Sequence, residues 1–116
     1  MKKINVVKSN QEFNDIINNS KFVKNKYFVI YYKPNDLNRY RFGISVSKHT
    51  CNAVNRNKLK RQVRNILDNC KNIYSNCKDY IIIIRKSSFM EDYHILEENL
   101  ISLLSRLEKE NRNEEK

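Results

Sequence analysis

Apolar residues recur along this chain with two periods, and the alternation between them lays out its elements. Phe13, Ile16 and Ile17 fall at helical spacing behind Ser9 and Glu12, a capping box in which the hydroxyl accepts from an early backbone N–H and the carboxylate returns the bond. This predicts a helix over Asn10–Asn19, which Asn18, Asn19 and Ser20 can stop. Lys26–Lys33 (KYFVIYYK) is rich in aromatic and β-branched residues and predicts a strand, with Tyr27, Val29 and Tyr31 on one face and Phe28, Ile30 and Tyr32 on the other. A turn at Pro34-Asn35-Asp36 leads to a second strand, Arg39–Ser47, where Phe42, Ile44 and Val46 alternate with the small Gly43, Ser45 and Ser47. Gly43 is the chain's only glycine, and inside a strand it leaves room for something to approach the backbone closely. A helix from Asn52 or Ala53 to near Cys70 follows, its inward stripe Leu59, Val63, Ile66, Leu67 and Cys70. Asp79–Arg85 (DYIIIIR) has the continuous apolar run of a central strand buried on both faces. From Glu91 to Leu107, Tyr93, Leu96, Leu100, Leu103, Leu104 and Leu107 mark a last helix. Residues 1–8 form a basic arm, and residues 108–116 are charged without periodicity, a tail expected to fray. The order is helix, strands, helix, strand, helix: an α+β sandwich with three or four strands. If Arg41–Ser47 and Tyr80–Ile84 lie parallel in one sheet, the middle helix is the crossover between them.

Length and charge narrow this picture. A chain of 116 residues has room for one domain and one core. The formal net charge is +10, and Arg41–Arg64 alone holds Arg41, Lys48, Arg56, Lys58, Lys60, Arg61 and Arg64 with no acid. No apolar run approaches the roughly 20 residues of a bilayer span, and no apolar segment of signal-peptide length follows the basic N-terminus, so a cytoplasmic protein is expected. Three cysteines, Cys51, Cys70 and Cys77, argue against a disulfide framework and lack the paired short spacing of a zinc site; reduced thiols are the expectation.

At 100° per residue, Asn57, Arg61 and Arg64 point away from the middle helix's apolar stripe, with Lys58 and Lys60 on its flanks. Arg offers planar donors to phosphate oxygens and Lys a point charge. Solvated basic helix faces usually interleave acids for pairing at i,i+4; here none appears before Asp68, which favours a nucleic-acid surface. Aromatics of the first strand could stack on single-stranded bases or simply pack against helices. A protein-borne catalytic site has little support. His49 and His94, the only histidines, have no triad or metal partners at a telling spacing. One glycine cannot build a phosphate-binding loop, and the acids make no pair that reads as a metal site.

FGISVSK followed by NAVNRNKLKRQVR resembles the signature of the bacterial ribonuclease P protein component, a strand ending in Val-Ser-Lys and then Ala-Val-x-Arg-Asn-Arg-x-Lys-Arg-x-x-Arg on a helix. The matching residues are Val46, Ser47, Lys48, Ala53, Val54, Arg56, Asn57, Lys58, Leu59, Lys60, Arg61 and Arg64. The chain departs from the family in three places: His49 stands where a second Lys usually follows Val-Ser-Lys, Cys51 where a Gly is common in the loop, and Lys58, which keeps the charge, where the pattern has its second Arg. The resemblance implies the element order α-β-β-β-α-β-α, a two-layer α+β sandwich with a left-handed β-α-β crossover, similar to the second domain of a small-subunit ribosomal protein. It implies one RNA-binding domain over residues 1–116 and two partners, a catalytic RNA subunit and precursor tRNA. The RNA with Mg2+ would remove the 5′ leader, and the protein would carry no catalytic residue or metal site of its own. Lys48, Arg56, Asn57, Lys58, Lys60, Arg61 and Arg64 would face the RNA subunit. Phe13, Ile17 and Tyr31 would line a groove for the single-stranded leader. The rival reading is a ribosomal or other structural RNA-binding protein without a processing role.

Overall fold

In a computed structural model, which describes residues 6–7, 9–74 and 77–114 (side chains to 109), four strands form one sheet. They are β1 (Lys21–Lys24), β2 (Phe28–Pro34), β3 (Arg41–Val46) and β4 (Lys78–Ile84), in the order β1-β2-β4-β3. β1–β2 and β2–β4 pair antiparallel, and β3–β4 pair parallel. The helices are α1 (Asn10–Asn18), α2 (Ala53–Asn69) and α3 (Tyr93–Glu114). β4 is interior and almost wholly buried, as its run of isoleucines requires.

α2 and α3 cover one face of the sheet. Their stripes, Leu59, Val63, Ile66 and Leu67 on α2 and Leu96, Leu100, Leu103, Leu104 and Leu107 on α3, bury against Phe28, Ile30, Phe42, Tyr80, Ile82 and Ile84. Phe42 stacks on Tyr80 at 4.8 Å between ring centroids, and Tyr74 meets both edge-on. Burial pushes the Tyr74 hydroxyl well above its usual range and the Cys70 thiol up to about 11. The opposite face carries α1, whose Ile16 buries with Val7 and Ile81. Of the N-terminal arm, Val6 bridges in parallel to Phe42 and Val7 N–H donates to the Phe42 carbonyl at 3.0 Å; the arm's other residues lie outside those described.

That last bond fixes the hand of the crossover. Phe42 turns its side chain to the helices while its carbonyl faces Val7, on the side away from β4. For an extended L-residue seen with its side chain toward the viewer and the chain running up, the carbonyl points right. β4 therefore lies to the left of β3 when viewed from α2, and β3–α2–β4 is a left-handed crossover, against the usual preference.

Two features differ from the sequence pattern. β1 was not placed by it: four residues with only Val23 buried carry too little alternation. And the expected tail from residue 108 is a correction, because α3 continues to Glu114. Glu108 accepts from the Tyr80 hydroxyl at 2.7 Å and from Lys78 Nζ at 3.1 Å, closing over two buried polar groups of β4. Those partners are remote in sequence, so no local period announces them.

Candidate nucleic-acid interface

α2 begins where the Asn52 side chain accepts from Asn55 N–H at 2.9 Å. Its apolar stripe pins one side to the sheet, so the opposite side must face outward. Asn57, Lys58, Arg61 and Arg64 are exposed there, and Lys48 is exposed on the turn that follows β3. Arg56 does something more specific. It is half-buried, and its Nη1 donates to the carbonyls of Cys51 at 2.9 Å and Lys48 at 3.2 Å. Arg56 therefore braces the loop that carries Lys48. Lys58 and Lys60 lie on opposite flanks: Lys58 borders a small hollow with Gln62, Met90 and Glu91, whereas Lys60 turns toward α1.

Arg41, also part of the basic stretch, is committed elsewhere. Its guanidinium grips the Asp79 carboxylate through two bonds, Nε at 2.9 Å and Nη2 at 2.8 Å, and Nη1 reaches Glu12 Oε2 at 2.7 Å. Asn35 adds a bond to Asp79 Oδ1 at 2.8 Å. Burial works against the Asp79 charge, but the hydrogen bonds from Arg41 and Asn35 outweigh it and hold its pKa below the usual value. The Arg41 guanidinium is raised above its ordinary value by the Asp79 bonds. Half of the expected capping box forms, the Ser9 hydroxyl accepting from Glu12 N–H at 3.1 Å; the Glu12 carboxylate instead accepts from Arg41 and ties α1 to β3.

Phe13, Ile17 and Tyr31 come together as half-buried residues around the Ile16–Ile81 cluster. Gly43 explains how α1 sits so low on the sheet. A β-carbon there would stand 2.6 Å from Phe13 Cε2 and 2.7 Å from Ile81 Cδ1, so the close approach predicted at this glycine is that of the Phe13 ring. Beside Phe13 and Ile17 runs an open groove with Asn10 and Asn14 on the helical side, Ser45 and Ile83 on its floor and Lys60 at its rim. Sequence reasoning had not assigned Asn10, Asn14, Ser45 or Ile83. The i,i+4 spacing of Asn10 and Asn14 beside Phe13 and Ile17 was the available signal for the first two. Lys60 belongs both to this groove and to the outer α2 surface with Asn57, Arg61 and Arg64. The cationic helix and the groove beside Phe13 and Ile17 are therefore adjoining parts of one surface. Among the described residues no three His, Cys, Asp or Glu side chains gather as metal ligands, and no helix is long and apolar enough to cross a membrane.

The family model described as Ribonuclease P matches residues 1–108. The ribonuclease P protein component of Mycoplasma mycoides is 47% identical over 108 residues, 92% of this chain and 99% of that one. The Streptococcus agalactiae protein of the same name is 43% identical over 104 residues, 90% of this chain and 94% of its own. Among solved structures, the ribonuclease P protein of Thermotoga maritima superposes with a TM-score of 0.80 at 32% identity, covering 86% of this chain and 94% of that one. That of Staphylococcus aureus reaches 0.83 at 33%, covering 89% and 94%.

Proposed function

The chain belongs to the ribonuclease P protein family, and from that premise we propose that it is the protein subunit of a ribonucleoprotein that removes the 5′ leader of precursor tRNA. In this reading the catalytic RNA subunit docks on the outer face of α2, through Asn57, Lys58, Lys60, Arg61 and Arg64, with Lys48 on the loop that Arg56 braces. The leader lies in the groove beside Phe13 and Ile17, with Tyr31 packed against the neighbouring Ile16–Ile81 cluster. The observation that carries the proposal is the meeting of the two surfaces at Lys60. A cation at that junction can serve phosphates of the RNA subunit and of the leader as it leaves the cleavage site.

Physical chemistry supports the division of labour. Two polyanions repel one another, and a protein with net charge +10 lowers that repulsion by replacing condensed counterions. Apolar and aromatic side chains in the groove then hold unpaired bases by stacking, which is tolerant of sequence. Mg2+ would neutralise charge and activate water at the scissile phosphate. This chain's own residues do not suit a resident ion. The α2 surface is cationic, and the Glu12 and Asp79 carboxylates are taken up by Arg41. The reading therefore leaves Mg2+ to the RNA.

The experiment is reconstitution. Purified protein is added to the catalytic RNA at low Mg2+, and leader removal from a precursor tRNA is followed. Stimulation that depends on the presence of a leader is expected. Equal binding to ribosomal RNA with indifference to the leader would replace this proposal with a purely structural RNA-binding role.

A further inference from the structure

The groove at Lys60 is one end of a longer track. The strand register sets two rows across the α1 face of the sheet. One row runs Phe22, Tyr31, Ile81 and Gly43; the next runs Lys24, Val29, Ile83 and Ser45. Phe13 sits over the Gly43 end of the first row, and the groove floor at Ser45 and Ile83 is the near end of the second. Followed across the sheet, both rows end on β1. There Phe22 is 53% exposed, its ring 5.6 Å from that of Tyr31 and tilted by 44°. Two residues on, facing the same way, stands the exposed Lys24.

A single exposed phenylalanine is ordinary. Here it continues a line of half-buried aromatics and pairs with a cation, the combination that single-stranded nucleic acid recognises through base stacking and phosphate attraction. Four strands span roughly 14 Å at about 4.8 Å per spacing. The α2 end of the track is where the RNA subunit docks, so the leader enters at Lys60 and its nucleotides farther from the cleavage site arrive at β1. The geometry points to Phe22 and Lys24 as a distal leader subsite, Phe22 stacking on a base and Lys24 meeting the adjoining phosphate. This inference rests on the leader-binding reading above.

The test uses the protein assembled with its catalytic RNA and precursor tRNAs whose leaders lengthen one nucleotide at a time, with affinity measured for wild type, Phe22→Ala, Phe22→Leu, Phe22→Trp, Lys24→Ala and Phe13→Ala. Phe22→Ala and Phe22→Leu should each weaken binding about 5-fold or more, but only once the leader is long enough to reach β1. Phe22→Trp should retain the affinity, and Lys24→Ala should reduce it in the same long-leader range. Phe13→Ala should weaken binding already at shorter leaders. Phe22→Leu keeps an apolar side chain at this half-exposed position, so its loss would not reflect misfolding. If Phe22→Ala and Phe22→Leu match wild type at every length while Phe13→Ala is impaired, the distal subsite is refuted and the leader groove stands. If wild type itself gains nothing from any leader, the groove reading fails, and the subsite with it.

Discussion

At Gly43 the separation between α1 and the sheet is set by the absence of one carbon. Alanine there would force the Phe13 ring or Ile81 to move, since neither contact at 2.6 and 2.7 Å is sustainable. Overpacking of this kind costs about 1–3 kcal/mol, so Gly43→Ala should lower the urea midpoint. It should also weaken leader binding through the displaced ring, while affinity for the RNA subunit, measured separately, holds. Asp79 gives a second test at this scale, in pH. Its folded pKa is depressed, so the stability it contributes is complete above the ordinary carboxylate value near 4 and is lost as pH falls through the lower folded value. Acid unfolding of the wild type should therefore steepen below about pH 4. The Asp79→Asn variant should be less stable near neutrality and lose that part of the acid dependence; parallel profiles for the two would show that the carboxylate's pairing with Arg41 is not what acid disrupts.

Among elements, α2 divides its basic residues between two tasks, and salt dependence can separate them. Among the described residues no hydrogen bond or ion pair holds Arg61 or Arg64, so Arg61→Ala or Arg64→Ala should leave folding intact. Each should lower the slope of log affinity against log salt by about 0.7–0.9 per lost phosphate contact. Arg56→Ala should act on the protein first. Without its bonds to the Lys48 and Cys51 carbonyls, the turn closed by Thr50 N–H to the Ser47 carbonyl should open more often, visible as faster exchange of the Thr50 amide. Unchanged exchange there would remove the bracing role. The limits of sequence reasoning also show at this scale. The α2 stripe and the β4 run were legible because each is a long periodic or continuous apolar pattern. β1 was not, since one buried residue in four makes no pattern, and α3's last turns were not, since Glu108 is held by Tyr80 and Lys78 from another element.

For the whole molecule, the two adjoining surfaces should respond to different perturbations. Phe13→Ala should reduce leader affinity with little change in salt slope, because stacking and apolar contact release few counterions. The α2 variants should do the reverse. If Phe13→Ala and Arg61→Ala alter affinity and slope alike, the division of the surface at Lys60 is wrong. The candidate site was half legible beforehand. Helical period put Arg61 and Arg64 outward, and the ordered basic signature pointed to an RNA. That Arg41 is spent on Asp79 and Glu12, that Arg56 holds a loop, and that Lys60 belongs to two surfaces depend on neighbours far along the chain.

The sequence by itself determined the types of the helices and of β2, β3 and β4, the core stripe of each helix, the basic outer face of α2 and the family, because these rest on local periodicity and on an ordered run of residue types. The left-handed return through α2 was expected from the family resemblance, though no local period carries it; only the tertiary structure decided the seating of Phe13 on Gly43 and the rows that lead from Lys60 to Phe22. Each of these follows from which strands become neighbours and in what register. That is settled by packing the whole core at once, and no single segment carries a signal for it.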